Sequence, residues 1–399
     1  MKLRTHRKID KAILTTEGNI RYDRYVLRPD GSEAAAKLME LDGTKAVVPL
    51  DDYLGVSNLP FKITVSMMLE ISYWAAKTGS YQEAEDFLKR TKGISVSDDT
   101  IRNVVNYIGD MVFKEDCRVA KQYETELNSK VRDASYAKRG TLYLQTDGAA
   151  LNTRTKDQND STWRENKLGL AFSSDHIHCW KNAKGQIQHR ILCREYISYI
   201  GNAQEFKYHL YALAVRAGYG EYENTVILSD GATWIRNIKN ELFPDAQQIL
   251  DLFHLKENTY EFAKQLFGDQ REKYVPWAED ICQRLEDGKW QDVLKDLERY
   301  KGISAKQGSV NLYTYIDNNR DNIDYPAYKE MGYFVGSGAI ESGNKIVLQN
   351  RLKLPGMRWN VPSAQCMLSL KAKIESKQWV SVVVPLINRL MNQPIVTAR

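Results

Sequence analysis

Cysteine is scarce in this chain and never occurs in pairs at the spacing of a metal site. The 399 residues include five cysteines, and none belongs to a C-x-x-C pair: Cys117, Cys179, Cys193, Cys282 and Cys366. This pattern excludes a disulfide framework and a zinc ribbon, and it favours a reducing compartment. The chain also lacks the roughly 18-residue apolar run of a membrane helix and the apolar segment of a secretory signal. We therefore predict a cytoplasmic protein with no membrane partner.

Net charge is small, and repeats and low-complexity tracts are absent. Lys and Arg number 56 against 51 Asp and Glu, which leaves a net charge of +5. That value is too small to indicate nucleic-acid binding by itself, so the distribution of charge must decide. With 43% hydrophobic and 27% charged residues, the composition is that of a folded protein and excludes a mainly disordered chain.

Periodicity divides the chain into five segments. Residues 1–58 mix short β-like runs with turn signals and predict a small irregular N-terminal region. Residues 59–138 have helical periodicity, residues 139–255 alternate strand and helix patterns, and residues 256–332 are again helical. Residues 333–399 are helical and basic in pattern. We predict an α/β protein in which helical parts flank a central α/β region.

A helix-turn-helix spacing lies within residues 59–138. Helical patterns over 81–88 and 97–105 are separated by a turn that contains Gly93. Ser97 is a candidate N-cap, because its hydroxyl can accept a hydrogen bond from a free N–H of the first turn. Three side chains of the second helix are predicted to face outward and reach base edges: Thr100, Arg102 and Asn103. An ordinary helical hairpin is the alternative.

Two aspartates end two hydrophobic strand patterns in the same way. Asp147 and Asp230 each follow a strand pattern and precede Gly-Ala. Ligands of α/β sheets gather at the carboxyl ends of strands, and glycine lets backbone or substrate approach closely. Two carboxylates on neighbouring strand ends repel unless cations lie between them, and Mg²⁺ suits such oxygen ligands. In the alternative interpretation, each aspartate caps the helix that follows.

A third carboxylate, Glu341, heads a basic segment. Glycines flank it in GSGAIESGNK at 336–345, which allows close backbone packing against a site. No acidic residue occurs over 342–374, whereas six basic residues do: Lys345, Arg351, Lys353, Arg358, Lys371 and Lys373. Metal ligation by Glu341 and phosphate contacts by the bases explain both features. The alternative is a glutamate favoured by a helix dipole.

Basic and aromatic residues around these motifs are the candidate nucleic-acid contacts. Arg154 lies in the loop after the first strand, and Trp359 follows Arg358. The arginines could clamp a phosphate, and the tryptophan could stack on a base. A tryptophan that packs in the core is the alternative for Trp359. The predicted contacts outside the helix-turn-helix are Arg154, Lys345, Arg351, Lys353, Arg358 and Trp359.

The order Asp147, Asp230, Glu341 resembles the DDE triad of bacterial insertion-sequence transposases with an RNase H-like core. The sequences LQTDG at 144–148, LSDGA at 228–232, GSGAIES at 336–342 and RLKLPGMRW at 351–359 are similar to signatures of that family. The nearest group is related to Mutator-like transposases. The resemblance covers roughly residues 60–375, which is most of the chain.

The resemblance implies a fold and an activity. The mixed sheet of an RNase H-like core would begin in 139–255 and end in 333–399, interrupted by an all-α insertion over 256–332 and preceded by a DNA-binding region over 59–138. Asp147, Asp230 and Glu341 would hold two Mg²⁺ ions, which Mn²⁺ can replace, for phosphodiester hydrolysis and transesterification.

The resemblance also implies supporting residues and partners. Asp251 and His254 match an Asp-x-x-His element of related superfamilies, which bonds a neighbouring strand or a DNA phosphate. The implied partners are the terminal inverted repeats and target DNA, and paired ends imply a homodimer or a higher oligomer. Two alternatives stay open: a metal-dependent nuclease without strand transfer, and a domesticated DNA-binding protein without catalysis.

Overall fold

The chain divides into two compact units in a computed structural model. One unit combines Met1–Glu115 with Pro362–Arg399, and the other is Asp116–Val361. No helix in the described part of the chain is long and apolar enough to cross a membrane. The structure describes residues 2–43, 46–127, 137–185, 187–303 and 310–391.

The first unit begins with a long antiparallel hairpin. β1 (Leu3–Thr15) and β2 (Gly18–Pro29) pair along their whole length, with a bulge between Thr5 and Arg7. Sequence analysis predicted an irregular region here, because charged residues on both faces hide the alternation that marks a half-buried strand. The region is therefore more regular than the sequence pattern indicates.

Helices complete the first unit. Those described are α1 (Ser32–Asp42), α2 (Pro49–Tyr53), α3 (Val65–Lys77), α4 (Tyr81–Lys92), the first part of α5 (Asp98–Leu127), α15 (Val361–Glu375) and α16 (Val384–Met391).

The helix pair α4 and α5 has the predicted helix-turn-helix spacing, but α5 is a single helix of 30 residues. Sequence analysis predicted the second helix of the motif over 97–105, within a region of helical periodicity that extends to residue 138. The buried positions Ile101, Val105, Ile108 and Val112 form one uninterrupted apolar stripe, which continues this helix past residue 105. The predicted cap is confirmed, since the backbone N–H of Thr100 donates to Oγ of Ser97 at 3.3 Å. Residues 128–136 lie outside the described residues.

The second unit contains a mixed five-stranded sheet, which confirms the α/β class. The strand order is β7-β4-β3-β8-β9, with β3, β8 and β9 parallel and β4 antiparallel to β3 and β7. A separate hairpin pairs β5 with β6. The strands are β3 (Lys138–Asn152), β4 (Trp163–Ser173), β5 (Ile177–Lys181), β6 (Ile187–Ile191), β7 (Glu195–Ile200), β8 (Tyr222–Ser229) and β9 (Gln247–Leu250).

Helices cover the sheet and fill the gap in sequence before Glu341. α6 packs on the sheet, where Phe206 and Leu210 join a buried cluster with Leu144 and Ile227. Between β9 and α13, the described residues form helices and no strand. This is the range predicted to be an all-α insertion. The helices of this unit are α6 (Ala203–Arg216), α7 (Thr233–Leu242), α8 (Leu252–Phe267), α9 (Arg271–Glu286), α10 (Trp290–Leu297), α11 (Leu312–Asn318), α12 (Tyr325–Glu330), α13 (Gly338–Asn344) and α14 (Asn350–Leu352).

The basic segment after Glu341 is not one helix. A π-helical turn, Lys345–Gln349, separates α13 from α14, and the chain is then irregular until α15. Pro355 and Gly356 occupy this break, in agreement with their weak helix propensity. From Pro362 onward the chain belongs to the first unit, whereas sequence analysis assigned all of 333–399 to the end of the core.

Candidate metal centre

Three aspartates line up across three neighbouring parallel strands. The registers of the β3–β8 and β8–β9 ladders, continued past their last pairs, align Asp147 with Asp230 and Asp230 with Asp251. Adjacent strands lie about 4.8 Å apart, so three carboxyl groups share one edge of the sheet. One prediction needs correction: Asp147 does not end its strand, because β3 continues beside β4 to Asn152. Only its parallel pairing with β8 stops before the aspartate.

Asp147 is half-buried and held by two hydrogen bonds. The N–H of Gly148 donates to Oδ1 at 2.7 Å, and Nδ2 of Asn344 donates to Oδ2 at 2.6 Å. Burial and then the negative charge of Asp230 raise the pKa of Asp147, and Glu341 acts in the same direction. The site therefore concentrates negative charge around Asp147, which a bound cation would offset.

Asp230 is fixed at the start of the loop before α7. The N–H of Ala232 donates to its Oδ1 at 2.9 Å, so the capping interpretation accounts for one of its two carboxylate oxygens. The hydroxyl of Tyr315, in α11, donates to the Asp230 carbonyl at 2.7 Å. This hydrogen bond ties the helical region after β9 to the acidic edge of the sheet.

Asp251 and His254 form a bonded pair at the start of α8. Asp251 is fully buried, and its Oδ1 accepts from the N–H of Phe253 at 2.7 Å. Its Oδ2 lies 2.9 Å from Nδ1 of His254 and accepts from the hydroxyl of Ser337. The hydrogen bond to Asp251 raises the pKa of His254 to about 9. Burial by itself would raise the pKa of Asp251, but the hydrogen bonds from His254 and Ser337 hold that pKa below its usual value.

Glu341 reaches this edge because α13 lies close against the sheet. The N–H of Ile340 donates to Oε1 of Gln145, in β3, at 2.9 Å. A Cβ at Gly343 would lie 2.8 Å from Cε1 of Tyr196, in β7, so only glycine permits this approach. The hydroxyl of Ser337 lies 3.3 Å from Oε1 of Glu341. Gly336 and Gly338, which flank Glu341 in sequence, have open space around them instead.

One group of side chains in the described part of the chain has the spacing of a metal site. Asp251, His254 and Glu341 each offer one ligand atom, and these atoms all lie within 4.8 Å of one another. Carboxylate and imidazole ligands can hold a divalent ion. Glu341 thus belongs to a potential metal site as predicted, but its partners there are the two residues that sequence analysis assigned a supporting role.

Four of the predicted DNA contacts of this unit are exposed. Lys345, Lys353 and Arg358 are open to solvent. Arg154 is exposed as well, and its Nε donates to the Arg358 carbonyl at 3.2 Å. The two arginines therefore lie side by side on the surface, where they can face a phosphate.

Two predicted contacts are wrong because the side chains are interior. Arg351 is 1% exposed and Trp359 is 8% exposed, and the guanidinium lies 5.2 Å from the centroid of the indole ring. This cation–π contact packs the segment after α13, so neither side chain is presented to DNA. Lys371 and Lys373, counted in the same basic run, are also buried in α15.

The candidate contacts of the helix-turn-helix lie in the first unit. Arg102 and Asn103 are exposed on α5, and Thr100 is half-buried. Arg102 pairs with Asp99 at 2.8 Å, and the Thr100 hydroxyl lies 3.0 Å from Oγ of Ser97. Asn103 and the exposed Arg102 therefore remain available for a ligand, whereas Thr100 supports the start of the helix.

Sequence analysis missed three polar residues that build the site. Gln145 holds α13, Ser337 joins Asp251 to Glu341, and Asn344 holds Asp147. Gln145 carries a signal, because it is a polar residue within an otherwise hydrophobic strand pattern. Asn344 follows Glu341 by three residues and so shares its helix face.

No protein-family model and no curated protein sequence matches this chain. The resemblance to transposases therefore stays a prediction from the sequence motifs.

Proposed function

We propose that this protein is a DDE transposase of a bacterial insertion sequence with an RNase H-like core. It would cleave the element ends and join their 3′-OH groups to target DNA. One observation carries the proposal: Asp147, Asp230 and Asp251 align on three neighbouring parallel strands, and α13 brings Glu341 to the same edge. A mixed sheet with acidic strand ends supports this reading.

The residues at this edge fit divalent cations. Carboxylates dominate, and Oδ1 of Asn344 is buried next to Asp147 with no hydrogen-bond partner among the described residues. Asp147, Asp230 and Glu341 would hold two Mg²⁺ ions, or Mn²⁺, with Asp251 and His254 beside them. Bound there, the ions would supply activation of water and stabilisation of the leaving 3′-oxygen.

The protein groups position the reaction. Asn344 orients the Asp147 carboxylate, and Ser337 links Asp251 with Glu341. His254, protonated through its bond to Asp251, brings positive charge close to Asp230. The exposed Lys345, Lys353, Arg358 and Arg154 would neutralise phosphates of the bound strand. Hydrolysis followed by attack of the freed 3′-OH needs no covalent enzyme intermediate.

The first test is metal binding by the full chain. Crystals soaked in Mn²⁺ should give anomalous density beside Glu341, and calorimetry should show binding that Glu341→Gln abolishes. Asp245→Asn is the matched control, because Asp245 is an exposed aspartate before β9, away from the aligned carboxylates. Loss of binding in Asp147→Asn and Asp230→Asn supports the DDE set. Loss confined to Asp251→Asn, His254→Gln and Glu341→Gln would overturn it in favour of the Asp-His-Glu group.

The second test is strand chemistry. A plasmid carrying the native flanks of the gene should be cut in Mg²⁺ or Mn²⁺, and a pre-cut end should be joined to a second DNA. Asp147→Asn, Asp230→Asn and Glu341→Gln should abolish both reactions while DNA binding persists. Cutting without joining would replace the proposal with a nuclease, and binding without either reaction would leave a DNA-binding protein.

The proposed reaction also predicts an assembly. Two element ends must be handled together, so the protein bound to end DNA would be at least a homodimer. Mass photometry with and without that DNA measures the state directly.

A further inference from the structure

Three arginines crowd the open end of the N-terminal hairpin. Arg4 on β1 lies directly opposite Arg28 on β2, so their side chains share one face. Arg7 follows the bulge and pairs with Val26, which places it on that same face. All three are exposed. We name Arg4, Arg7 and Arg28 the hairpin cationic patch.

The charges of this patch are poorly compensated. Like charges directly opposite each other in a β-ladder destabilise it. Arg4 has one carboxylate within ion-pair distance, that of Asp30 at 3.7 Å, and both side chains are exposed. Arg7 and Arg28 make no ion pair within the described residues. Partial desolvation and then the charges of Arg28, Arg7 and Arg4 lower the pKa of His6 in the bulge.

Three other basic residues of the hairpin have carboxylate partners. The buried carboxylate of Asp51, in α2, accepts hydrogen bonds from Lys11 and Arg24. On the opposite face, Lys8 pairs with Asp23 at 2.6 Å. The hairpin cationic patch therefore lies at one end of one face, on a strand pair that is fixed in place by a buried ion pair.

The patch has the spacing of a nucleic-acid backbone. Because the bulge takes up one residue, Arg4 and Arg7 are separated by the two ladder steps from Arg28 to Val26, about 7 Å along the strand. Each DNA strand carries one charge per about 3.4 Å of helix axis, so this length faces about two phosphates. A guanidinium group binds phosphate oxygens through two parallel hydrogen bonds. A bound polyanion would also offset the repulsion between the paired arginines.

We propose that the hairpin cationic patch binds the phosphate backbone of duplex DNA. The inference rests on the proposed function, which requires bound DNA. It adds that the N-terminal hairpin contacts the bound duplex. Its contacts are with phosphates, so they position the protein and contribute affinity at every sequence.

The test compares two double variants of the full chain. Arg7→Gln with Arg28→Gln removes two charges of the patch. Lys8→Gln with Arg21→Gln removes two charges from the opposite face of the same hairpin and is the matched control. Binding to a random-sequence duplex is measured by fluorescence anisotropy in EDTA across a series of salt concentrations. Unchanged circular dichroism and melting temperature establish that both variants fold.

The patch variant should lower the slope of log Kd against log salt by about 1.8, because each lost phosphate contact removes about 0.9. At 100 mM salt this corresponds to about 60-fold weaker binding. Equal slopes in the two double variants would overturn the inference. That failure is distinct from failure of the proposed function, in which the wild-type protein binds DNA but neither cuts nor joins it in Mn²⁺.

Discussion

At the residue scale, the buried carboxylate of Asp251 controls the charge of His254. The folded pKa of His254 is about 9, above the usual 6.5, because the ring bonds to Asp251. Because the pKa of His254 is higher in the folded protein, protonated His254 adds to the free energy of unfolding. This contribution is complete below pH 6.5 and is lost as the pH rises through 9. The bond between the two side chains should therefore be strongest at neutral and mildly acidic pH.

We expect the imidazole of His254 to titrate near pH 9 in the metal-free protein. Asp251→Asn should lower that pKa to 6.5 or below, because burial then acts without the opposing hydrogen bond. Proton NMR of the histidine ring in EDTA measures both values. Asp245→Asn should leave the titration unchanged. A wild-type ring that titrates near 6.5 would contradict the bonded pair.

Sequence reasoning found the acidic residues but not their neighbours. Asp147, Asp230 and Glu341 could be selected because a carboxylate at a strand end or before a basic run is chemically unusual. The hydrogen bonds of Gln145, Ser337 and Asn344 depend on how α13 lies against β3, which no local pattern encodes.

The dependence on tertiary packing also explains why the burial of Arg351 was not predicted. Charge in a sequence does not distinguish a solvated Arg358 from Arg351, which stacks on a tryptophan. Only the break at Pro355 and Gly356 hints that the basic run changes direction, and it does not say which side chains turn inward.

At the element scale, the packing of α5 on α15 depends on Gly109. A Cβ there would lie 2.6 Å from Cβ of Cys366 and 2.7 Å from its carbonyl oxygen. Real Cβ atoms do not approach so closely, and a carbonyl oxygen in a helix cannot move aside. The small residue therefore sets the distance between the two helices.

We expect Gly109→Ala to lower the free energy of unfolding by about 1–3 kcal/mol, the usual cost of overpacking. Alanine is the better helix former by about 1 kcal/mol, so a net loss shows that the steric effect dominates. Gly302→Ala is the control, because no atom lies within 4 Å of its Cβ position. Urea unfolding measures both variants. A stabilised Gly109→Ala protein would contradict the close packing.

Strands with a strong apolar pattern were the easiest elements to predict. β3, β4 and β8 follow the hydrophobic runs of the sequence. β7 was missed because two tyrosines, a serine and a glutamate dilute its pattern, although it pairs with β4 over six residues. β9 ends at Leu250, because Asp251 caps α8 and the residues after it form the first turn of that helix. Tertiary pairing and capping, more than local propensity, decide these boundaries.

At the scale of the whole molecule, the aligned acidic residues lie within the unit Asp116–Val361. Ion binding at this site should therefore stabilise the folded protein, because the aligned ligands do not exist in the unfolded chain. At a concentration of Mn²⁺ equal to 100 times Kd, the gain is about 2.7 kcal/mol.

We expect Mn²⁺ to raise the melting temperature of the wild-type protein relative to EDTA, and Glu341→Gln to abolish this rise. Asp245→Asn should behave as wild type. Differential scanning fluorimetry across a Mn²⁺ titration measures all three proteins. An equal rise in Glu341→Gln would show that the ion binds elsewhere.

The first unit is assembled from both ends of the chain, and this has a consequence for synthesis on the ribosome. Its core needs α15, where Lys371 donates to the carbonyl of Ala76 and Cys366 packs on Gly109. Between the two parts lie 246 residues, 116–361, which take about 12–50 s to translate at about 5–20 residues per second. The N-terminal segment therefore leaves the ribosome first and completes its core last. A gene copy that stops before codon 362 would retain every carboxylate of the site and still lack the helix that closes its N-terminal half.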